Sequence, residues 1–415
     1  MIKQNPFTSP LFTNIWSKHF NHNNPIYKFN FITNISFNKP LFLSLYINIG
    51  KNLTKGISYF INEDFKILDF KKKVILIYDV PKYFNIKDDN LPKRIKKIKI
   101  KQYPGFLIHL ENYKDINDYL SKNFSKSSKQ KFNRYKSRLE HCFDIKEKML
   151  IGNIEKSEYD FVFNHFKELL TKRFDDKQIV NNNLNPKEWN FYYEVVYPLL
   201  LEKKAALYVI YNGETPICVR LLYFSETIIF DAITVFDIDY TKFHIGKISI
   251  MKMLEWSFKN DFKIFDFSKG YFDYKESWSD LRYDFEYHLF IDSKSITSII
   301  LGNTIAFLLK FKQYLREKEI NKTLHKLTYI LRRRKTYSDT LIKEISINEI
   351  NYKQNQLEPI KLDDKHAFLK KYAYDFLFIT KEHFKNLKVY KVNNQLNTIY
   401  LLEVNEHIKI LSVTI

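Results

Sequence analysis

Short apolar runs separated by polar breaks fill the first part of the chain. Leu41–Ile49, Gly56–Ile61, Lys66–Phe70 and Val74–Tyr78 are short and rich in β-branched or aromatic residues, which predicts strands. Before them, Asn5-Pro6-Phe7-Thr8-Ser9-Pro10 reads as turn chemistry leading into an aromatic helix over Leu11–Phe20. Pro81 and the charged stretch to Lys101 read as a loop, and Gly105–Leu110 as another strand. The period then changes. Lys114–Leu120 and Ser127–Leu139 are helix-like, and Phe143–Leu150 returns as a strand. Between Lys156 and Phe174, Tyr159, Val162, Phe163, Phe166, Leu169 and Leu170 recur at helical spacing. Asn185-Pro186 starts a further helix, with the proline suited to its first turn and Pro198 bending it.

The most legible stretch is Ala205–Ile291. Ala205–Tyr211, a tight Asn212-Gly213 turn, Pro216–Phe224 and Thr227–Phe236 predict an antiparallel meander. An amphipathic helix over Ile245–Phe258 leads to a strand over Phe262–Phe267, a Gly/Tyr/Lys-rich loop, and a strand over Tyr283–Ile291. Ser295–Arg334 reads as a helix with a basic polar side. The tail from Thr336 holds a small helix near Asp364–Tyr374 and a late meander over Lys388–Val392, Thr398–Val404 and Ile408–Val413. A meander followed by a helical crossover predicts an α/β fold: a mixed sheet with helices on its faces.

Composition narrows the picture. A chain of 415 residues suggests two or three domains, and 45% apolar with 27% charged residues argues for a packed core. Two cysteines cannot form a disulfide framework, and the 11 histidines lack ligand spacing, so no metal is expected. No apolar core in Met1–Pro10 suggests a signal peptide, and Ser295–Leu309 is too short to span a bilayer. A cytoplasmic protein, peripheral at most at the inner membrane face, is the expectation. The net charge is +20. Three basic windows, Lys93–Lys101, Ser121–Arg138 and Lys310–Lys335, account for the whole excess. Such patches attract phosphates, RNA or an anionic membrane.

Two segments carry candidate chemistry. At the start of the crossover helix, Lys242, Gly246 and Lys247 surround a helix N-terminus whose free N–H groups suit a pyrophosphate. An ordinary tight turn is the competing reading. Further on, Asp266 ends a strand, Lys269-Gly270 opens a loop, and Tyr274 and Lys275 follow at the sheet's carboxyl end, where α/β proteins place ligands. Asp266 reads equally as a structural cap. Asp231, inside an apolar strand, is a candidate base or a bonded structural acid, and His244 is a second candidate base. Lys126, Lys129, Lys131, Arg134 and Arg138 on the basic helix are candidate anion ligands.

The Asn5–Pro10 opening with Trp16 and Phe20 resembles the CelD-like and Fem-like group of GNAT-related acyltransferases. So do the basic helix Ser125–Arg138, Tyr240–Gly246, Leu254-Glu-Trp-Ser-Phe, and Phe265–Gly270 with Tyr274-Lys275 and Trp278. The resemblance covers about residues 5–290. It implies two GNAT-like halves, a degenerate one over 1–140 and an acyltransferase half over 141–292. Outside it lie a basic helical segment over 293–335 and a small C-terminal α/β extension over 336–415, to which no role is assigned. The resemblance implies N-acyl transfer from an acyl-thioester, acyl-CoA above all, to a small-molecule or sugar-linked amine. An amino sugar of polysaccharide or envelope biosynthesis is the acceptor suggested. In that scheme Asp231 or a water relay is the base, Tyr274 the acid, and Lys275 an oxyanion partner. Of the usual Gln/Arg-x-x-Gly-x-Gly/Ala motif only Gly246 is present, with Phe243 at the first position and Ile248 at the last. Two alternatives therefore stand beside the first: a Fem-like aminoacyl transferase drawing on aminoacyl-tRNA, and an inactive GNAT fold that binds anions. DNA is not an expected partner.

Overall fold

The computed structural model describes residues 2–22, 24–40, 43–62, 67–88, 91–318, 341–346, 356–392 and 398–414. Twelve of its strands form one mixed sheet. They are β1 (Tyr27–Phe29), β2 (Ile32–Asn38), β3 (Leu45–Asn48), β4 (Phe60–Ile61), β5 (Val74–Pro81), β6 (Ile95–His109), β7 (Ile145–Leu150), β8 (Ala205–Asn212), β9 (Thr215–Phe224), β10 (Ile228–Phe236), β11 (Ile264–Lys269) and β12 (Leu281–Asp292). The spatial order is β1-β2-β3-β5-β12-β6-β11-β10-β9-β8-β7, with β4 beside β2. Among the described residues only β3/β5 and β10/β11 are parallel.

This order is nearly mirrored about the β12/β6 pair. On each side an antiparallel set leads inward to one parallel pair. Yet β12 follows β11 in the chain and pairs with β5 and β6, while β6 pairs with β11. The two expected halves thus exchange a strand and share one continuous sheet. Each second strand of a parallel pair is also kinked at a comparable place. Asp79 in β5 (φ 62°) and Ser268 in β11 (φ 64°) are left-handed, and the register slips beside each.

Eight described helices pack on this sheet before residue 318: α1 (Pro10–Trp16), α2 (Ile116–Asn123), α3 (Lys126–Cys142), α4 (Lys156–Asp176), α5 (Pro186–Leu201), α6 (Ile245–Lys259), α7 (Asp273–Trp278) and α8 (Ile296–Glu317). Local chemistry sets their starts. The Ser9, Asn185 and Ser295 side chains accept from first-turn N–H groups, and Pro10 and Pro186 fill the first helical positions. The apolar stripes of α4 and α5 bury Tyr159, Phe163, Phe166 and Trp189 against one face of the sheet, with Phe7 and Phe12. On the opposite face Phe132 and Leu139 of α3 and Ile248 and Leu254 of α6 pack with Leu222, Ile229 and Phe265.

A second, five-stranded antiparallel sheet lies in the tail: β13 (Leu341–Ile345), β14 (Leu357–Pro359), β15 (Lys388–Val392), β16 (Thr398–Val404) and β17 (His407–Thr414). The helix Lys370–Thr380 joins it to the main body, burying Tyr374 against Tyr240 and Phe378 against Phe243.

The expected loop over Pro81–Lys101 is overturned. From Ile95 it is the 15-residue strand β6. Ile98, Ile100 and Gln102 point inward while Lys99 and Lys101 stay exposed, so the lysines obscured a period of two. The Gly56–Ile61 run is a strand only at Phe60–Ile61, and Ile67–Phe70 is not a strand; Lys66 lies outside the described residues. The hairpin β1/β2 had no counterpart among the expected elements. The long basic helix is described to Glu317, and the rest of its expected span, from 319 to 334, lies outside the described residues.

Candidate active site

β10 and β11 pair only at Ile228/Ile264, Ile229/Phe265 and Phe230/Asp266. Beyond that point both strands continue without pairing to each other, so the sheet splits at their carboxyl ends. Polar groups from both sides of the mirrored sheet collect there.

Asp231 is the first β10 residue past the split. It forms a buried ion pair with Arg220 of β9 at 2.6 Å and accepts from Thr234 Oγ1 at 2.8 Å. Arg220 Nε and Nη2 each donate to Ser249 Oγ at 3.1 Å, and Ser249 in turn donates to the Gly246 carbonyl. Both Asp231 oxygens are engaged, and this acid holds Arg220 in place. Breaking such a buried pair costs about 3–5 kcal/mol.

Asp266, on the facing strand, accepts from Tyr83 Oη at 2.8 Å, Tyr283 Oη at 2.7 Å and the Ser268 N–H at 2.7 Å. Burial raises its carboxyl to about 6 against the pull of these donors. Its arrangement is that of a structural anchor. Ser268 takes a left-handed φ that favours glycine, and such a conformation costs roughly 1–3 kcal/mol. Its buried hydroxyl has no partner among the described protein atoms.

Lys269 does not reach free toward solvent. It pairs with Asp79 at 2.6 Å and donates to the Asn52 carbonyl at 3.3 Å. Asp79 also accepts from Gln102 Nε2 and Thr54 Oγ1, each at 2.9 Å. Gly270 takes a φ of 134°, which its neighbour Phe272 would crowd in any larger residue. Lys275 Nζ is buried and donates to the Lys269 carbonyl at 3.0 Å and the Ser268 carbonyl at 3.4 Å. Burial pulls its ammonium down to about 8, although Asp231 and Asp266 oppose this. Tyr274 stands 41% exposed beside that cluster. Desolvation raises its phenol above the ordinary range, with Asp231 adding to the rise and Arg220 and Arg173 opposing it. Trp278 is buried below α7, stacked on Phe132 and packed against Phe124.

Sequence reasoning missed several members of this cluster. Asp79 carries the same signal as Asp266, an acid closing an apolar strand. Arg220 stands inside the apolar run Ile217–Phe224, which marks a buried pair. Lys55 gave no signal. It follows Thr54, makes no hydrogen bond or ion pair among the described residues, and is pushed down to about 7, first by burial and then by Lys269 and Lys275.

The expected phosphate site looks different. A Cβ on Gly246 would lie 2.9 Å from the Phe236 ring, so this glycine makes room for an aromatic side chain. Lys242 and Lys247 are both exposed, Lys247 lying 5.7 Å from the Phe132 ring centroid. The α6 N-terminus has no side-chain cap, and His244 there packs on Tyr135 with centroids 4.0 Å apart. On α3, Lys126, Lys131 and Arg134 are exposed, Lys129 donates to Ser121 Oγ at 3.0 Å, and Arg138 covers the Phe378 ring at 4.4 Å. Among the described residues no group of three His, Cys, Asp or Glu side chains could hold a metal ion.

Residues 129–276 match the acetyltransferase (GNAT) domain family. No curated protein matches it in sequence. Solved structures similar to it include the C-terminal domain of a protein assigned as a lysylphosphatidylglycerol synthetase from Agrobacterium fabrum, at 10% identity and a TM-score of 0.41, covering 68% of this chain and 84% of that one. A conserved protein from Bacteroides thetaiotaomicron gives 10% and 0.43, covering 70% and 92%. FemX gives 10% and 0.42, covering 61% and 83%.

Proposed function

We propose that the gap beyond Phe230 and Asp266 receives an acyl-thioester, acyl-CoA above all, and that the protein moves the acyl group to an amine. The parting of β10 from β11 next to Tyr274 and Lys275 carries this reading. The acceptor nitrogen attacks the thioester carbonyl, the carbon–sulfur bond breaks, and the amide forms. Lys275, charged below about pH 8, stabilises the developing oxyanion. The Tyr274 phenol stays protonated at neutral pH and donates to the departing thiolate. With Asp231 held by Arg220, neutral Lys55 or a water relay takes the proton from the amine. An amino sugar or sugar-linked amine is the acceptor that the CelD-like resemblance suggests. The α6 N-terminus with Lys242 and Lys247 would face the donor's phosphates.

A second reading has a specific support. Gly246 packs on Phe236, and exposed Lys126, Lys131 and Arg134 line α3, an arrangement suited to the phosphates of an aminoacyl-tRNA donor. Calorimetry with coenzyme A and with tRNA separates the two. Saturable coenzyme A binding supports the first reading. Binding of tRNA with no heat from coenzyme A would replace it with the second.

A further inference from the structure

α8 is 22 residues long, about 33 Å at 1.5 Å per residue. Its inner side is fitted closely to the sheet. Ala306 and Leu309 pack with Leu76, Leu289 and Ile291, and a Cβ on Gly302 would strike Ile291 at 2.4 Å. Its outer side is unlike an ordinary solvent face. Ile296 (77% exposed), Ile300 (62%), Phe307 (66%), Phe311 (49%) and Tyr314 (55%) all lie in the open. At 100° per residue they fall within about 60° of one another, a continuous stripe along the helix. The Phe307 and Phe311 rings are nearly parallel, with centroids 6.2 Å apart and 6° between planes. Exposed Asn303, Thr304, Lys310 and Lys312 border the stripe, with Lys294 before the helix and Lys318 after it.

An exposed apolar ridge one helix wide, edged by lysines, has two plausible coverings: a second copy of the chain or a lipid surface. Charge decides between them. Paired copies would bring lysines together on a chain already at +20, whereas anionic headgroups neutralise them. No described helix is long and apolar enough to cross a membrane, so the contact is one of lying on a surface. The far end of α8 also reaches the rim of the cleft. The Arg316 guanidinium sits 3.6 Å from the Tyr103 ring centroid, and Tyr103 lies 6.0 Å from Tyr271, which with exposed Phe272 precedes Tyr274.

We propose that α8 is an interfacial helix that seats the protein on an anionic bilayer, its apolar stripe at the headgroup–acyl boundary and its bordering lysines against lipid phosphates. The Tyr271–Phe272 loop then lies close to the same surface, so the cleft opens near the lipid. The inference is independent of the transfer chemistry. The full chain is tested by co-sedimentation with vesicles of phosphatidylcholine alone and of phosphatidylcholine mixed with phosphatidylglycerol. Binding to the mixed vesicles, weak binding to the neutral ones, and loss at high salt are expected. Phe307→Glu with Phe311→Glu should cut binding at least about tenfold, with an unchanged melting temperature because both side chains are exposed. If that pair misfolds, Ile300→Asn with Phe307→Ser repeats the test. Undiminished binding by a folded variant, equal binding to both vesicle types, or no binding by the wild type overturns the proposal. So does a wild-type dimer in solution that the substitutions convert to monomer, which would assign the stripe to a second copy.

Discussion

Tyr274 and Lys275 are adjacent in sequence, and desolvation moves their ring hydroxyl and ammonium in opposite senses. The phenol is pushed up and stays protonated, whereas the ammonium is pulled down to about 8. Replacing Tyr274 by Phe removes only the hydroxyl and leaves the ring against Phe267 and Phe272. Turnover should fall roughly 10²-fold, the lower range for a lost general acid, with donor affinity unchanged in calorimetry. Turnover within a factor of two of wild type, about 0.4 kcal/mol, would remove Tyr274 from the mechanism. For Lys275 the sign follows from its proton. The cation is present below about pH 8 and lost above it, so the turnover profile should decline as pH passes 8. Lys275→Arg keeps the charge and should push that decline to higher pH; an unmoved limb would mean another group sets it. Only part of this was legible from the sequence. An acid ending an apolar strand flagged Asp266, but Tyr83 lies 183 positions away from it, and nothing local to either residue announces the pair. Lys55 carries no local signal, because what marks it is its burial and the nearness of Lys269 and Lys275 in the fold.

At the scale of elements, β12 is the strand most dependent on long-range contacts, inserted between β5 and β6. Its end is pinned by Asp292, which accepts from Arg94 at 2.7 and 2.9 Å and from the Lys72 and Lys294 N–H groups. Chiefly through Arg94, its carboxyl is held down at about 2. Asp292→Asn should cost about 2–3 kcal/mol in denaturant unfolding at neutral pH. The folded value lies below the ordinary one, so the contribution is complete above about pH 4 and lost as pH falls toward 2. The wild type and the variant should therefore converge over that window; a constant difference would show that charge is not the source. The basic helix α3 offers a contrasting case. Lys126, Lys129 and Lys131 have no described carboxylate partners, and replacing all three by Gln should leave the melting temperature unchanged or raise it. Binding of an anionic partner, tRNA included, should weaken, and the difference should shrink with added salt. A melting point many degrees lower would make these lysines structural. The meander and crossover between Ala205 and Lys269 were legible because their pairing is local. β6 was not, because its lysines imitate a loop until β12 arrives beside it.

For the whole molecule, the sheet is the organising fact. Mirrored strand sets meet at β12 and β6, and the exchanged strand makes neither side a closed unit. The cleft inherits this. Asp79, Thr54 and Lys55 come from one side, Arg220, Asp231 and Tyr274 from the other, and Lys269 bridges them through its ion pair with Asp79. Strand order of this kind is invisible to periodicity, which reports faces and not neighbours. The central claim is that the gap beyond Phe230 and Asp266 is where the acyl group is transferred. A crystal structure with a non-hydrolysable acyl-CoA analogue tests it most directly. The account predicts the analogue's carbonyl between β10 and β11, within hydrogen-bonding distance of Tyr274 Oη or Lys275 Nζ. An analogue bound elsewhere on the protein, with that gap empty, would contradict it.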